Sequence, residues 1–189
     1  MALEGRGYTL AAWSGVLLIL LCLALTLEAG RWSDAFLVSG FLALSIAYLT
    51  LVRQLPAVLD LVVVLTALLN AVGWGGGLLR RVWFFDDLLH LLTPLTGAVL
   101  ICLRLGQAVG PPLTARRALL WTLATALTLS AGVLWEFAEW VANSLRFPLE
   151  DTLPDLLLDT LGAMMGSALA LRLMDRYPPG MWRGPARAG

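Results

Sequence analysis

Apolar residues run in long, almost unbroken segments along most of the chain. Each segment is long enough to cross a hydrocarbon core about 30 Å thick as a helix that rises about 1.5 Å per residue. The pattern therefore predicts an all-α fold, a polytopic membrane bundle of about six transmembrane helices. The predicted segments are residues 9–27, 35–52, 55–73, 82–104, 117–141 and 153–174.

Short glycine- or proline-containing connections separate these segments, so consecutive helices are expected to be antiparallel neighbours. The third segment is the least regular, because Pro56 and Asp60 fall in its first turns. We predict a single transmembrane domain over residues 1–177. Residues 178–189 are rich in proline, glycine and arginine, and they are predicted to form a disordered cytoplasmic tail.

Composition supports a bilayer as the solvent. Of the 189 residues, 59% are apolar and only 14% are charged, which leaves no stretch for a soluble domain. The chain has no lysine and a net charge of zero, so nothing favours nucleic-acid binding. Cys22 and Cys102 lie within apolar segments without a CxxC partner, and they are interpreted as packing residues.

Arginine placement predicts the orientation. With the N-terminus inside, the inner connections and tail carry nine arginines, whereas the outer connections carry four. The positive-inside rule then places both termini in the cytoplasm of a bacterium, with the chain in the cytoplasmic (inner) membrane. Trp32, Trp74, Trp83 and Trp140 fall at the predicted outer ends, where headgroup-level aromatic rings are common.

Acidic residues and the only histidine gather at one end of the last three segments. The start of the fourth segment, the end of the fifth and the start of the sixth lie on the same side of the membrane in either orientation. By the arginine count this side is extracytoplasmic. The residues are Asp86, Asp87 and His90 in the fourth segment, Glu136 and Glu139 in the fifth, and Asp151, Asp155 and Asp159 at the start of the sixth.

In each of these segments, two polar residues stand three or four positions apart and so share one helix face. Ionisable groups in a membrane are costly and normally face the bundle interior or a wet cavity. Three such faces at matching depth predict one polar site. Asn70, near the corresponding end of the third segment, is a further candidate.

So many carboxylates cannot all be ionised side by side without arginine, protons or a metal cation. One histidine among several carboxylates suits Mg²⁺, Mn²⁺ or Ca²⁺, and zinc or iron is also compatible. Glu136 and Glu139 are the candidate catalytic bases, and Asp87, Asp151 and Asn70 are secondary site candidates. The predicted ligands of a divalent ion are Asp86, His90, Glu136, Asp155 and Asp159.

Two other interpretations stay open. A hydrogen-bonded network could simply brace the helix ends, since the helix dipole favours acids at the starts of the fourth and sixth segments. That explanation does not extend to Glu136 and Glu139, which lie at a C-terminal end. Alternatively, the acids could belong to a proton or ion path, for which Thr122, Thr125 and Thr128 are the best inner candidates.

The same residues resemble a known family. Phe85-Asp86-x-x-x-His90, Trp135-Glu136-x-x-Glu139-Trp140 and Asp151-Thr152-x-x-Asp155 followed by Gly162-Ala163 are similar to the YjdF-like inner-membrane proteins. More distantly, the last helices resemble the VanZ-like membrane proteins. Pro94 stands where the YjdF-like pattern has a glycine. The resemblance implies a polar site at these residues and no particular activity.

The sequence thus predicts an integral membrane protein with a histidine–carboxylate site and leaves its activity open. One hypothesis is a divalent-metal-dependent enzyme that acts on a lipid-linked small molecule. Its other expected partners are the membrane lipids. The alternatives are a proton-coupled or ion transporter and a non-catalytic assembly or regulatory protein. The metalloprotease motif HExxH and the hydrolase motif GxSxG are both missing from the sequence. The oligomeric state does not follow from the sequence.

Overall fold

A computed structural model describes the backbone of residues 2–52, 55–142 and 149–176, and the side chains of residues 6–52, 55–138 and 152–176. Over this part of the chain, the secondary structure is helical and contains no strand, which confirms the all-α prediction. The helices are α1 (Ala2–Glu28), α2 (Trp32–Leu51), α3 (Ala57–Gly75), α4 (Phe85–Val109), α5 (Pro111–Thr114), α6 (Arg117–Ala142) and α7 (Leu149–Arg176).

All of these helices except the short α5 are long and apolar enough to cross a membrane, so the six predicted segments are confirmed. Large apolar side chains such as Leu17, Leu134 and Leu157 are more than half exposed, as expected of a surface that faces lipid. The sequence pattern did not predict α5 or the 3-10 turn Leu78–Arg80. The predicted disordered tail lies outside the described residues.

The chain divides into two compact units, one that ends at Leu89 and one that begins at His90. In the first unit, α1 and α3 approach closely at two glycines. A Cβ atom on Gly15 would meet Val64, and one on Gly75 would meet Thr26 and Cys22. Small residues that bring two backbones together are a common means of packing membrane helices, because they maximise van der Waals contact.

An ion cluster joins the ends of α2 and α3 in the first unit. Arg80 donates to both carboxylate oxygens of Asp34 at 2.9 and 3.0 Å, and Arg31 lies 3.4 Å from the same carboxylate. Arg31 also donates to the backbone carbonyls of Trp74 and Gly75, which satisfies acceptors left over at the end of α3. The buried Asp34 is therefore compensated by two guanidinium groups.

The third segment is a regular helix in spite of its polar start. Pro56 precedes the first residue of α3, a position where its missing N–H costs nothing. Asp60 accepts a hydrogen bond from Thr9 of α1 at 3.3 Å. This contact gives the carboxyl group a polar partner beside the apolar part of the segment.

The second unit contains α5, α6, α7 and α4 from His90 onwards. The backbones of α4 and α7 come so close that a Cβ atom on Gly162 or Gly166 would collide with the carbonyl of Leu91 or Leu95. Between α6 and α7, Trp121 donates to the Met164 carbonyl at 3.2 Å. These contacts fix the rotation of α7 and therefore decide which of its residues face the interior of the unit.

The tryptophans at the predicted outer helix ends differ in exposure. Trp32 and Trp83 are 72% and 88% exposed, which suits rings at the headgroup level. Trp74, in the last turn of α3, is only 7% exposed and packs inside the first unit. The reason is the close contact of α1 with the end of α3 at Gly75, which covers this part of the helix. The side chain of Trp140 is not among those described.

Candidate functional site

His90 lies in the second turn of α4, and it is 6% exposed. Its neighbour four residues on is Pro94, which has no N–H to donate to the His90 carbonyl as a helix normally requires. The helix continues through this position to Val109. The imidazole is thus held on a rigid element, beside a backbone carbonyl that lacks its usual helical donor.

Three carboxylates from α6 and α7 surround the imidazole within the second unit. Its Nδ1 atom lies 3.1 Å from Asp159 Oδ1, which is a hydrogen-bond distance. Its Nε2 atom lies 3.8 Å from Glu136 Oε1 and 4.0 Å from Asp155 Oδ2, which is too long for a hydrogen bond. The two ring nitrogens therefore face different carboxylates at different distances.

All three carboxylates are largely shielded from solvent. The side chains of Glu136, Asp155 and Asp159 are 10%, 7% and 3% exposed. Asp155 and Asp159 stand four residues apart and share one face of α7, as their spacing predicts. A charge without compensation in such surroundings costs several kcal/mol or more, so protons or a cation must offset the charge of this group.

Asp159 fits against α6 only because residue 132 is a glycine. A Cβ atom on Gly132 would collide with the Asp159 carboxylate. The Oδ2 atom of Asp159 is buried, and among the described residues it has no hydrogen-bond partner. Gly132 is a part of the site that sequence reasoning missed, although a glycine one helical turn before Glu136 was a usable signal.

A histidine–aspartate group that could hold a metal ion is present. Asp86 precedes His90 by one turn of α4, and its carboxylate offers a ligand atom within 4.8 Å of the histidine. Asp155 offers another ligand atom within the same distance of the histidine. Two atoms that each lie about 2.1 Å from one ion can be at most about 4.2 Å apart, so the 4.0 Å between Nε2 and Asp155 Oδ2 is compatible with a shared cation.

The remaining candidates lie elsewhere or outside the described side chains. Asp87 is exposed, whereas Asp86 is partly buried. Asn70 is buried in the first unit, where its side-chain amide donates to the Thr66 carbonyl at 2.9 Å. Glu139 lies in α6 and Asp151 in α7, but their side chains are not among those described.

Family membership is decided by a match over most of the chain. A family model described as predicted membrane protein DUF2238 matches residues 8–176. The chain belongs to this family. DUF2238 membership is consistent with the YjdF-like resemblance and gives no support to the VanZ-like one. No curated protein and no solved structure matches this DUF2238 protein. The family description gives a membrane location and no activity.

Proposed function

We propose that this protein is a metal-dependent membrane enzyme that acts on a lipid-linked small molecule. The observation that carries the proposal is the position of His90, buried between carboxylates from α6 and α7 and one turn after Asp86. A buried set with one imidazole and several carboxylates matches the ligand preference of Mg²⁺, Mn²⁺ or Ca²⁺, and one histidine also allows zinc or iron.

Charge compensation favours a cation at this group. The His90 ring lies 3.1, 3.8 and 4.0 Å from the carboxylates of Asp159, Glu136 and Asp155. Close carboxylates repel one another, so either protons or a positive ion must reduce the repulsion. A divalent cation does so without neutralising the ligands, which then remain able to orient a substrate.

The residues divide naturally into roles. Asp86, His90 and Asp155 are the proposed ligands, since the two carboxylates each offer a ligand atom within 4.8 Å of the histidine. Glu136 faces the same Nε2 atom from α6 and is the proposed general base that takes a proton from the attacking water. A divalent cation bound there would supply positive charge that polarises a substrate oxygen and activates water. Glu139, one turn further along α6, is the second candidate base.

The depth of the site suits a lipid-linked substrate. His90 is five residues after Phe85, which corresponds to about 8 Å along the axis of α4 at about 1.5 Å per residue. At this depth a group could meet the boundary between lipid headgroups and acyl chains. The arginine distribution supports a site on the extracytoplasmic side of a bacterial cytoplasmic membrane, with both termini in the cytoplasm.

Elemental analysis of the detergent-purified protein tests the proposal directly. The protein should be purified without nickel resin or added metal, because either would introduce ions. We expect about one divalent ion per wild-type chain and a loss of that ion in the His90→Ala/Glu136→Ala double variant, since this variant lacks the imidazole ligand and the carboxylate that faces it. The Asp87→Asn variant is the matched control, because Asp87 is exposed beside Asp86.

The expected outcome is metal in the wild type and in Asp87→Asn, with no metal in a folded double variant. Circular dichroism and gel filtration establish that the double variant is folded. No metal in the wild type, even after titration with Mn²⁺, Zn²⁺ and Mg²⁺, would overturn the proposal. Retention of the ion by the folded double variant would overturn it equally, because the ion would then lie elsewhere.

The transporter alternative needs a polar route towards the other end of the helices. In the second unit, Thr125 donates to Ser167 at 3.1 Å, whereas Thr128 donates to a carbonyl of its own helix and Thr122 is exposed. One hydroxyl pair gives weak support to a continuous route. A purely structural network, the other alternative, requires that Asp155→Ala and Glu136→Ala each destabilise the protein and that no ion is bound.

A further inference from the structure

We propose that Asp159 is a positioning residue, which holds the His90 ring so that the Nε2 atom presents its lone pair to the group formed with Asp155 and Glu136. Asp159 would then not be a metal ligand, although its spacing made it a candidate. The inference deepens the proposed function and rests on it for its purpose. The part of the inference that concerns geometry is the hydrogen bond between His90 Nδ1 and Asp159, and it can be tested without a metal.

The two ring nitrogens of His90 differ in their contacts. The 3.1 Å between Nδ1 and Asp159 Oδ1 is a hydrogen-bond distance. In the proposed arrangement Nδ1 carries the proton and donates a hydrogen bond to the carboxylate. On the Nε2 side, Glu136 Oε1 and Asp155 Oδ2 lie at 3.8 and 4.0 Å, distances that a cation shared between nitrogen and oxygen can span. A neutral imidazole with the proton on Nδ1 carries its lone pair on Nε2, which is the atom that can bind a cation or accept a proton.

Packing holds Asp159 in this role. The residue is 2% exposed, and its Oδ2 atom lies against Gly132 of α6. The group of ligand atoms that lie within 4.8 Å of one another includes Asp155 but not Asp159. One oxygen of Asp159 therefore meets Nδ1 of the histidine, and the other lies against Gly132 of α6.

A carboxylate on the far nitrogen is a common support of metal-bound histidines. It fixes the tautomer and the ring orientation and raises the basicity of the coordinating nitrogen, and its loss typically lowers metal affinity about 10–100-fold. Asp155 provides the matched comparison. It is also a buried aspartate of α7, one turn away, but it lies on the Nε2 side. The two aspartates are thus expected to respond differently to the same substitution.

The chain has a single histidine, so ¹⁵N-histidine labelling gives one pair of ring signals. The full-length protein would be purified in detergent through a histidine-free affinity tag, and the ring nitrogens recorded by NMR at neutral pH in the presence of a chelator. We expect Nδ1 to be protonated and Nε2 to be unprotonated in the wild type. Asp159→Asn should shift the proton population towards Nε2, while Asp155→Asn should leave Nδ1 protonated.

Protonation of Nε2 in the wild type, or a tautomer that is unchanged in Asp159→Asn, would overturn the positioning role. A second measurement follows Mn²⁺ binding by electron paramagnetic resonance. We expect Asp159→Asn to keep one site with about 10–100-fold weaker binding and Asp155→Asn to lose it. Complete loss in both variants would make Asp159 a ligand and overturn the inference. Absence of Mn²⁺ binding by the wild type, with the expected tautomer, would count against the metal proposal alone.

Discussion

At the residue scale, the His90 imidazole and the carboxylates around it depend strongly on their immediate neighbours. The imidazole is 6% exposed, and Asp159 is 2% exposed. At such depth each polar atom depends on a specific neighbour, because water does not replace a lost contact. Small changes in the space around Asp159 should therefore alter both the stability of the protein and the tautomer of the histidine.

Replacement of Gly132 by alanine is the residue-scale prediction. The new Cβ atom would collide with the Asp159 carboxylate, so we expect Gly132→Ala to lower the free energy of unfolding by about 1–3 kcal/mol. It should also weaken the preference of the proton for Nδ1 of His90. Thermal unfolding in detergent and the ¹⁵N signals of the ring measure the two effects.

Gly97 of α4 is the matched control for that substitution. A Cβ atom there would lie 3.7 Å from Thr128 Cγ2, an ordinary van der Waals contact. Since alanine favours a helix over glycine by up to about 1 kcal/mol, Gly97→Ala should leave stability unchanged or raise it. Equal losses in the two variants would contradict the packing argument for Gly132.

At the scale of elements, two ion pairs connect helix ends, and they are expected to contribute unequally to stability. The pair between Arg117 at the start of α6 and Asp175 in the last turn of α7 is exposed, with side chains 48% and 59% accessible. The contact of Arg80 with Asp34 differs, because the Asp34 side chain is only 8% accessible. Arg31 joins that carboxylate to the end of α3, so Asp34 holds α2 and α3 through two guanidinium groups.

Substitution of Asp34 and of Asp175, one at a time, should show how much each ion pair contributes to stability. We expect Asp34→Ala to cost about 1.5–3 kcal/mol, as for hydrogen bonds to charged groups, towards the lower end because Arg80 is half exposed. Asp175→Ala should cost less than about 1 kcal/mol, since exposed pairs are screened by water and salt. Chemical unfolding of both variants in the same detergent makes the comparison, and a larger loss for Asp175→Ala would refute it.

For the whole molecule, the arginine distribution sets an orientation that can be tested with cysteine labelling. Cys22 and Cys102 would first be replaced by serine, so that only the introduced thiol reacts. Ala29, between α1 and α2, and Ala115, between α5 and α6, are both exposed connection residues. Three candidate spans separate these positions, so they are expected on opposite sides of the membrane, and cytoplasmic termini would place Ala29 outside and Ala115 inside.

A membrane-impermeant maleimide applied to intact cells should therefore label Ala29→Cys, and it should label Ala115→Cys only after permeabilisation. The reverse pattern would invert the orientation and place the histidine site on the cytoplasmic side. Labelling of both positions in intact cells would show that the reagent crosses the membrane. A cytoplasmic reporter cysteine in the same cells controls for that leak.

The sequence by itself determined the number, type and approximate limits of the long helices. Apolar length is a local property, and a segment such as 82–104 must span the bilayer whatever surrounds it. It also predicted that the acids of the last three segments share one side of the membrane, because antiparallel neighbours bring those ends together. Even the irregular third segment, with Pro56 and Asp60, needed no correction as a helix.

Only the tertiary structure decided how each helix is rotated about its axis. Successive residues of a helix point about 100° apart, so the distinction between Asp86 and Asp87 depends on what packs beside α4 rather than on the apolar pattern. The same holds for the burial of Trp74 and for the place of Gly132 against Asp159. Rotation is set by contacts between residues distant in sequence. As a result of this rotation, Asp155 lies near Nε2 of His90 and Asp159 lies near Nδ1.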